Sequence, residues 1–260
     1  MSCPRINELY IGLSQDFTEV YLRRCCFLKD IAVFNIKDCL TMSLRDLVSK
    51  STSKMDGLQI CPLTNSPCNV EFKDNITKIA FNLLRACNLH CYRCCEGISH
   101  KSPKIYTDLY FRFLNESKEL NNINTIQLTG VGEPFIYYNK TLEFLKSLKN
   151  TNIKSVNIIT NATLLNKEKI LQLKETSLET NVKYQFTVSM DGFDKISFEK
   201  MRCGATFEKV VENVLLLKEN FEEILISFTE KEINKDQSSK GDSFCKEHNL
   251  TIIKYKDTTR

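Results

Sequence analysis

The stretch CNLHCYRCCE, Cys87 to Glu96, sets thiols at Cys87, Cys91 and Cys94 in a C-x3-C-x2-C spacing. Thiolates this close along a chain act together as soft metal ligands. Three of them can hold three irons of a [4Fe-4S] cluster and leave the fourth iron open to another molecule. A structural zinc site instead closes its shell with four protein ligands, and Cys95 or His90 is at hand to supply the fourth. The spacing alone admits both metals.

Further stretches follow it in order. LTGVGEP, Leu128 to Pro134, is a glycine-rich turn that lets a ligand approach the backbone and adds the acceptor Glu133. NIITNATLL sets Thr160 and Asn161 after a β-branched run, where an ordinary turn or helix cap is the competing role. TVSMDG offers Ser189 and Asp191 two positions apart, on one face of an extended chain. Arg202, in KMRCG, carries a planar guanidinium suited to bidentate binding of a carboxylate.

In this order the stretches resemble the radical S-adenosylmethionine (SAM) superfamily, down to the lead-in FNLLRACNLHC. The resemblance implies that the amine and carboxylate of SAM fill the open iron site. It assigns Gly132, Glu133 and Pro134 to the GEP motif that binds the SAM amino group, with Val131 where many relatives have glycine. Thr160 and Asn161 match the T-N-G turn, Ala162 replacing its glycine, and would support the ribose or the adjacent loop. Ser189 and Asp191 match S-x-D-G segments whose serine bonds the ribose hydroxyls, and Arg202 matches an arginine that pairs with the SAM carboxylate. One departure is plain: the aromatic that packs on adenine just before the third cysteine is replaced by Arg93, with Tyr92 one place earlier. The implied chemistry is reductive cleavage of SAM to methionine and a 5'-deoxyadenosyl radical, which abstracts hydrogen from a substrate. A reducing partner such as flavodoxin or ferredoxin would supply the electron.

Six of the twelve cysteines precede residue 70: Cys3, Cys25, Cys26, Cys39, Cys61 and Cys68. A Cys-Pro, a hairpin ending in Cys-Cys, a short helix and CPLTNSPC resemble the SPASM or twitch modules that hold an auxiliary Fe-S cluster. Such modules usually follow the barrel, whereas this segment precedes it. Cys3, one or both of Cys25 and Cys26, Cys61 and Cys68 would be the ligands, a zinc knot being the alternative. So short a segment needs some staple, because apolar burial alone rarely folds it. In relatives such modules go with peptide or protein side-chain substrates, the favoured class here by analogy. A glycyl-radical activating enzyme, a sugar- or nucleoside-modifying enzyme, and a non-catalytic Fe-S or zinc scaffold are the alternatives.

The elements that position these residues are legible as patterns. ELYIGL and TEVYLRR, joined through Ser14 to Asp16, predict a hairpin, and Ser43 caps a short helix with Leu44, Leu47 and Val48 on one face. From residue 76, six strand-like runs alternate with helices: 76–84, 125–129, 155–160, 184–190, 224–229 and 251–255. Tyr110, Phe113, Leu114, Ser117 and Leu120 form a helical stripe after Thr107 as N-cap, and Phe207, Val210, Val211, Val214 and Leu217 another after Thr206. The expected fold class is α/β: a partial (β/α)6 radical SAM barrel over 73–260, preceded by a small cysteine-rich module over 1–72. The stretch 231–240 is polar and without a stripe, which predicts a weak last unit.

Apolar residues at 42% and charged residues at 26% of 260 fit one globular core, and a net charge of +4 with no basic block neither implies nor excludes a nucleic-acid partner. The start MSCPRINELY has no signal-peptide pattern, and no run reaches the ~18 apolar residues of a membrane helix. A cytoplasmic protein without a membrane partner is expected. In that reducing setting the isolated Cys39, Cys203 and Cys245 read as buried small apolar residues.

Overall fold

The computed structural model describes residues 8–14, 18–23, 32–49, 76–92, 94, 104–128 and 131–256, and the backbone of 60–61 and 66–67. The chain begins with the predicted hairpin, β1 (Glu8–Leu13) and β2 (Glu19–Arg23), then β3 (Ala32–Asn35) and the short helices α1 (Ile36–Cys39) and α2 (Leu44–Ser49). A two-residue pair follows, β4 (Ile60–Cys61) against β5 (Ser66–Pro67). Then come β6 (Lys78–Asn82), β7 (His90–Cys91), α3 (Lys104–Ser117), β8 (Thr125–Leu128), α4 (Tyr138–Lys146), β9 (Ser155–Thr160), α5 (Lys167–Thr180) and β10 (Lys183–Ser189). The chain continues through α6 (Lys195–Met201), β11 (Arg202–Cys203), α7 (Phe207–Asn220), β12 (Glu223–Glu230), α8 (Gln237–Glu247) and β13 (Thr251–Lys256).

The six predicted strands are β6, β8, β9, β10, β12 and β13, neighbours in chain order and all parallel. Order that never reverses, combined with right-handed crossovers, puts every connecting helix on one face of the sheet. Such a sheet curls toward a barrel and does not bury both faces under helices. Burial follows from this: Val156, Ile158, Phe186, Val188, Ile224 and Ile226 are fully covered on the helical side, against Ile170 and Leu173 of α5 and Val210, Val214 and Leu217 of α7. Their strand neighbours on the other face stay partly exposed. The hairpin enters the same sheet, β1 lying parallel to β6 and carrying β2 and β3 antiparallel beyond it, so the sheet has nine strands.

Local signals account for the element ends. Ser43 accepts the Asp46 N–H at 3.1 Å and donates to its carboxylate at 2.7 Å, the expected cap of α2, whose Leu44 and Leu47 are buried. Arg112 of α3 donates to the carbonyls of Cys39, Leu40 and Met42 at 2.5–3.0 Å, tying the N-terminal helices to the barrel. Thr107 is not the N-cap of α3. The helix already includes Lys104, so Thr107 lies buried one turn in.

The polar stretch 231–240 is the larger departure from expectation. It ends in a formed helix, α8, and two of its polar side chains, Asn234 and Gln237, are buried while the charged ones stay at the surface. Asn234 Nδ2 donates to the carbonyls of Asp191 and Thr229 at 2.9 and 3.1 Å, and Gln237 Oε1 accepts from Phe193 N–H at 3.0 Å. Asn213, inside the apolar stripe of α7, likewise donates to the carbonyls of Ala162 and Leu165 at 2.9 and 3.0 Å. Buried carboxamides thus fix the turns after β9 and β10, where apolar periodicity gives no signal.

Asn213→Ala leaves two buried carbonyls without donors and is expected to cost about 2 to 4 kcal/mol. Urea unfolding measures it; a loss below about 0.5 kcal/mol would show that water replaces the amide.

Candidate functional site

Beyond Asn82 the chain leaves β6 and reaches Cys87 through Arg85, which sits at φ +41. Two backbone bonds fasten this lead-in to the LTGVGEP turn: Arg85 N–H to Val131 O at 2.9 Å, and Glu133 N–H to Ala86 O at 2.7 Å. Gly132 lies between them at φ +111, where a Cβ would stand 2.7 Å from Ala86 O. Only glycine fits, for conformation and for space.

Glu133 is buried and fully engaged. Its Oε1 accepts from Phe135 N–H at 3.1 Å and Thr160 Oγ1 at 2.8 Å, and its Oε2 from Asn161 N–H at 2.7 Å. Burial pushes the carboxyl up to about 7, against these bonds, which favour the charged form. Asn161 Nδ2 reaches Asn88 Oδ1 at 3.1 Å and the Cys87 sulfur at 3.7 Å, while its Oδ1 accepts from Thr163. Ala162 adopts φ +58, so the backbone keeps the left-handed turn that glycine provides in the T-N-G pattern, at about 1 kcal/mol.

The far side of the thiol loop is held by β7 and β11, antiparallel, with Arg202 opposite Cys91 and Cys203 opposite His90. Tyr92 N–H adds a bond to Met201 O at 2.8 Å. Arg202 then points two ways, Nη1 to the Cys91 sulfur at 3.8 Å and Nη2 to Asp191 Oδ2 at 2.6 Å. Asp191 accepts in turn from Thr229 N–H at 2.8 Å, at the end of β12. Ser189 is the last residue of β10 and partly exposed. Since the strand stops there, its two-residue alternation does not extend to Asp191, which turns inward.

The three thiols share one loop but differ in setting: Cys87 is buried, Cys91 half-buried and Cys94 exposed. Burial raises Cys87 to about 11, with the Leu89 N–H pulling the other way, and raises Cys91 against the charge of Arg202. Cys94 N–H donates to Cys91 O at 3.1 Å. Among the described residues no three His, Cys, Asp or Glu side chains are arranged to hold a metal by themselves. The donor set nevertheless suits an Fe-S cluster in kind and place: three soft ligands at strand ends, beside a buried cation whose Nε finds no acceptor.

Cys203 departs from expectation: it is exposed on β11, because that bridge lies over the loop and outside the core, whereas Cys39 and Cys245 are buried. Cys3, Cys25, Cys26, Cys68, Arg93 and the Cys61 side chain lie outside the described residues. Asn88, Thr163, Asn213 and Asn234 support the site and were missed by motif reading. An asparagine inside the Val211–Val214 stripe was the available signal for one of them.

Two measurements test this geometry. Asp191 and Arg202 are only 8% and 15% exposed, so removing either alone strands a buried charge. Asp191→Ala and Arg202→Ala should each cost about 3 kcal/mol, and the double change no more than the worse single one. Additive losses would show that the pair is not coupled. For Glu133 the folded pKa lies above the unfolded one, so the folded state holds an extra proton between about pH 4.5 and 7. Its contribution to stability therefore falls as pH rises through that window. The stability difference between wild type and Glu133→Gln should shift toward the variant by up to about 1.4 kcal/mol per pH unit. A difference independent of pH would refute the shift.

A family model described as the Radical SAM superfamily matches residues 81–230, from within β6 to the last residue of β12. Similar proteins include probable GTP 3',8-cyclases of Methanococcus maripaludis, 29% identical over 142 residues (54% of this chain, 44% of that protein), and Methanococcus aeolicus, 29% identical over 151 residues (56% and 45%). A third, from Sulfurisphaera tokodaii, is 26% identical over 143 residues (55% and 43%). The chain spans a little under half the length of the curated relatives it matches. With the thiol loop, the GEP turn and the Asp191–Arg202 pair all inside a match that covers more than half of the sequence, the chain belongs to the radical SAM superfamily of enzymes.

Proposed function

We propose that this chain cleaves SAM reductively and directs the resulting radical at a substrate held over the open face of the sheet. The observation that carries the reading is the run of contacts from Cys91 through Arg202 to Asp191, which joins the thiol loop to the end of β12. A [4Fe-4S] cluster on Cys87, Cys91 and Cys94, with SAM at its fourth iron, supplies the one-electron cleavage when bound. The protein's own part is placement. Arg202 keeps a fixed positive charge beside the loop, Gly132 leaves the backbone approachable, and Ser189 stands partly exposed at the rim for a ribose hydroxyl. Thr160 and Asn161 act through Glu133 and Cys87, which they hold in position. A flavodoxin or ferredoxin is the proposed source of the electron.

Two substrate classes draw support from different observations. The cysteines Cys3, Cys25, Cys26, Cys61 and Cys68, as ligands of an auxiliary Fe-S cluster, favour a peptide or protein side chain. The relatives named GTP 3',8-cyclase favour a nucleotide.

Protein reconstituted without oxygen, reduced with dithionite and given SAM should form 5'-deoxyadenosine, and Cys91→Ala should reduce this to background. Formation by the variant at the wild-type rate would refute the ligand assignment. In the same samples, iron should approach about eight per chain and fall toward about four when Cys61 and Cys68 are replaced. Unchanged iron and sulfide would remove the auxiliary site.

A further inference from the structure

Barrel interiors are ordinarily filled by branched apolar side chains. The face of this sheet turned away from the helices is instead mostly polar. It carries Thr125 and Gln127 of β8, Ser155 and Asn157 of β9, Gln185, Thr187 and Ser189 of β10, and Ser227 and Thr229 of β12, all partly exposed, with Ile159 and Leu225 flanking Thr187 as the apolar members. One row across it is uniform: Gln127 pairs in register with Asn157, Asn157 with Gln185, and Gln185 with Glu223. Gln185 donates to the Glu223 carboxylate, which leaves its carbonyl oxygen to accept. No hydrogen bond or ion pair engages the side chains of Gln127 or Asn157 among the described residues.

We infer that the carboxamides of Gln127, Asn157 and Gln185 form a recognition row for the edge of a nucleobase. The proposal rests on the reading that substrate lies over this face, and it selects between the two substrate classes left open there. Adjacent strands are about 4.8 Å apart, so three carboxamides span about 10 Å, Gln127 and Asn157 each offering a donor and an acceptor and Gln185 an acceptor, without net charge on any of the three. Asn and Gln engage base edges in this bidentate manner. An extended peptide repeats its same-face amides every ~6.8 Å, out of step with the row. The row also lies at a usable depth: Gln185 is four residues below Ser189, on the order of 13 Å, about the length of a nucleoside reaching from the row to the rim.

The test is equilibrium dialysis of the reconstituted full chain against guanosine, GTP and, separately, N-acetyl-trialanine amide. Wild type should bind guanosine and GTP but not the peptide, and Asn157→Leu or Gln127→Leu should weaken nucleoside binding tenfold or more. Because the face is open to water, both variants should melt within a few degrees of wild type. If either does not, Asn157→Asp and Gln127→Glu, which keep size and alter the donor pattern, should show the same loss. Guanosine bound equally by the variants, guanosine not bound by wild type, or peptide bound in its place would each overturn the inference. SAM binding by wild type, read from the EPR spectrum of the cluster, reports the parent reading separately. SAM bound with guanosine binding independent of the row removes only this inference. Guanosine binding that depends on the row, without SAM binding, removes only the reading beneath it.

Discussion

A guanidinium taken out of water must be matched by negative charge or hydrogen-bond acceptors, and Arg202 meets that demand with Asp191 on one side and the Cys91 sulfur on the other. Because both partners sit on separate segments, satisfying one cation fixes the relative positions of three: the thiol loop, the turn after β10 and the short β11. Asp191 is itself held by Thr229 N–H and, through its carbonyl, by Asn234. The position of the cysteine loop, already anchored in the core by Ala86 and Leu89, is thereby referred to the end of β12. On the opposite side the loop is referred to β8 by the contact of Gly132 with Ala86.

Strand order divides the labour between the two faces of the sheet. With all crossovers of one hand and no reversal, the helices occupy one side and take nearly all of the apolar residues. The other side is largely released from packing duty and carries mainly hydroxyls and carboxamides, with Ile159 and Leu225 among them. The residues of the candidate site cluster at and just beyond strand ends, where the chain leaves the sheet and the side-chain alternation no longer dictates direction.

Legibility in the sequence followed the kind of force involved. All six parallel strands, the hairpin and α7 were readable because burial imposes a period, and the thiol loop and GEP turn because their chemistry imposes spacing. Side chains that act by single hydrogen bonds leave no period. Asn234 and Gln237 made 231–240 look structureless when they are in fact buried at its centre, and Asn213 was hidden in an apolar stripe. Thr107 resembled a cap because Thr caps helices often, yet the helix begins a turn earlier. The left-handed Ala162 and the inward turn of Asp191 depend on contacts from distant strands, which adjacent residues do not encode. The parallel docking of β1 on β6 was equally unreadable, since no local pattern names a partner so far along the chain.

That docking has a consequence for the order of assembly. Lys78 meets Glu8 across 70 residues of chain, whereas β8, β9 and β10 join through single helical crossovers. Closing a long loop costs entropy before any contact is made. The βα units from β6 onward can therefore assemble from nearby contacts, and β1 to β3 add to a sheet edge already formed. Until they do, the β6 edge is an unpaired strand in a parallel sheet, the kind of surface that recruits strands from other chains. The N-terminal hairpin thus serves the fold as an intramolecular guard of that edge, and its arrival marks the end of the interval in which the nascent barrel is open to misassembly.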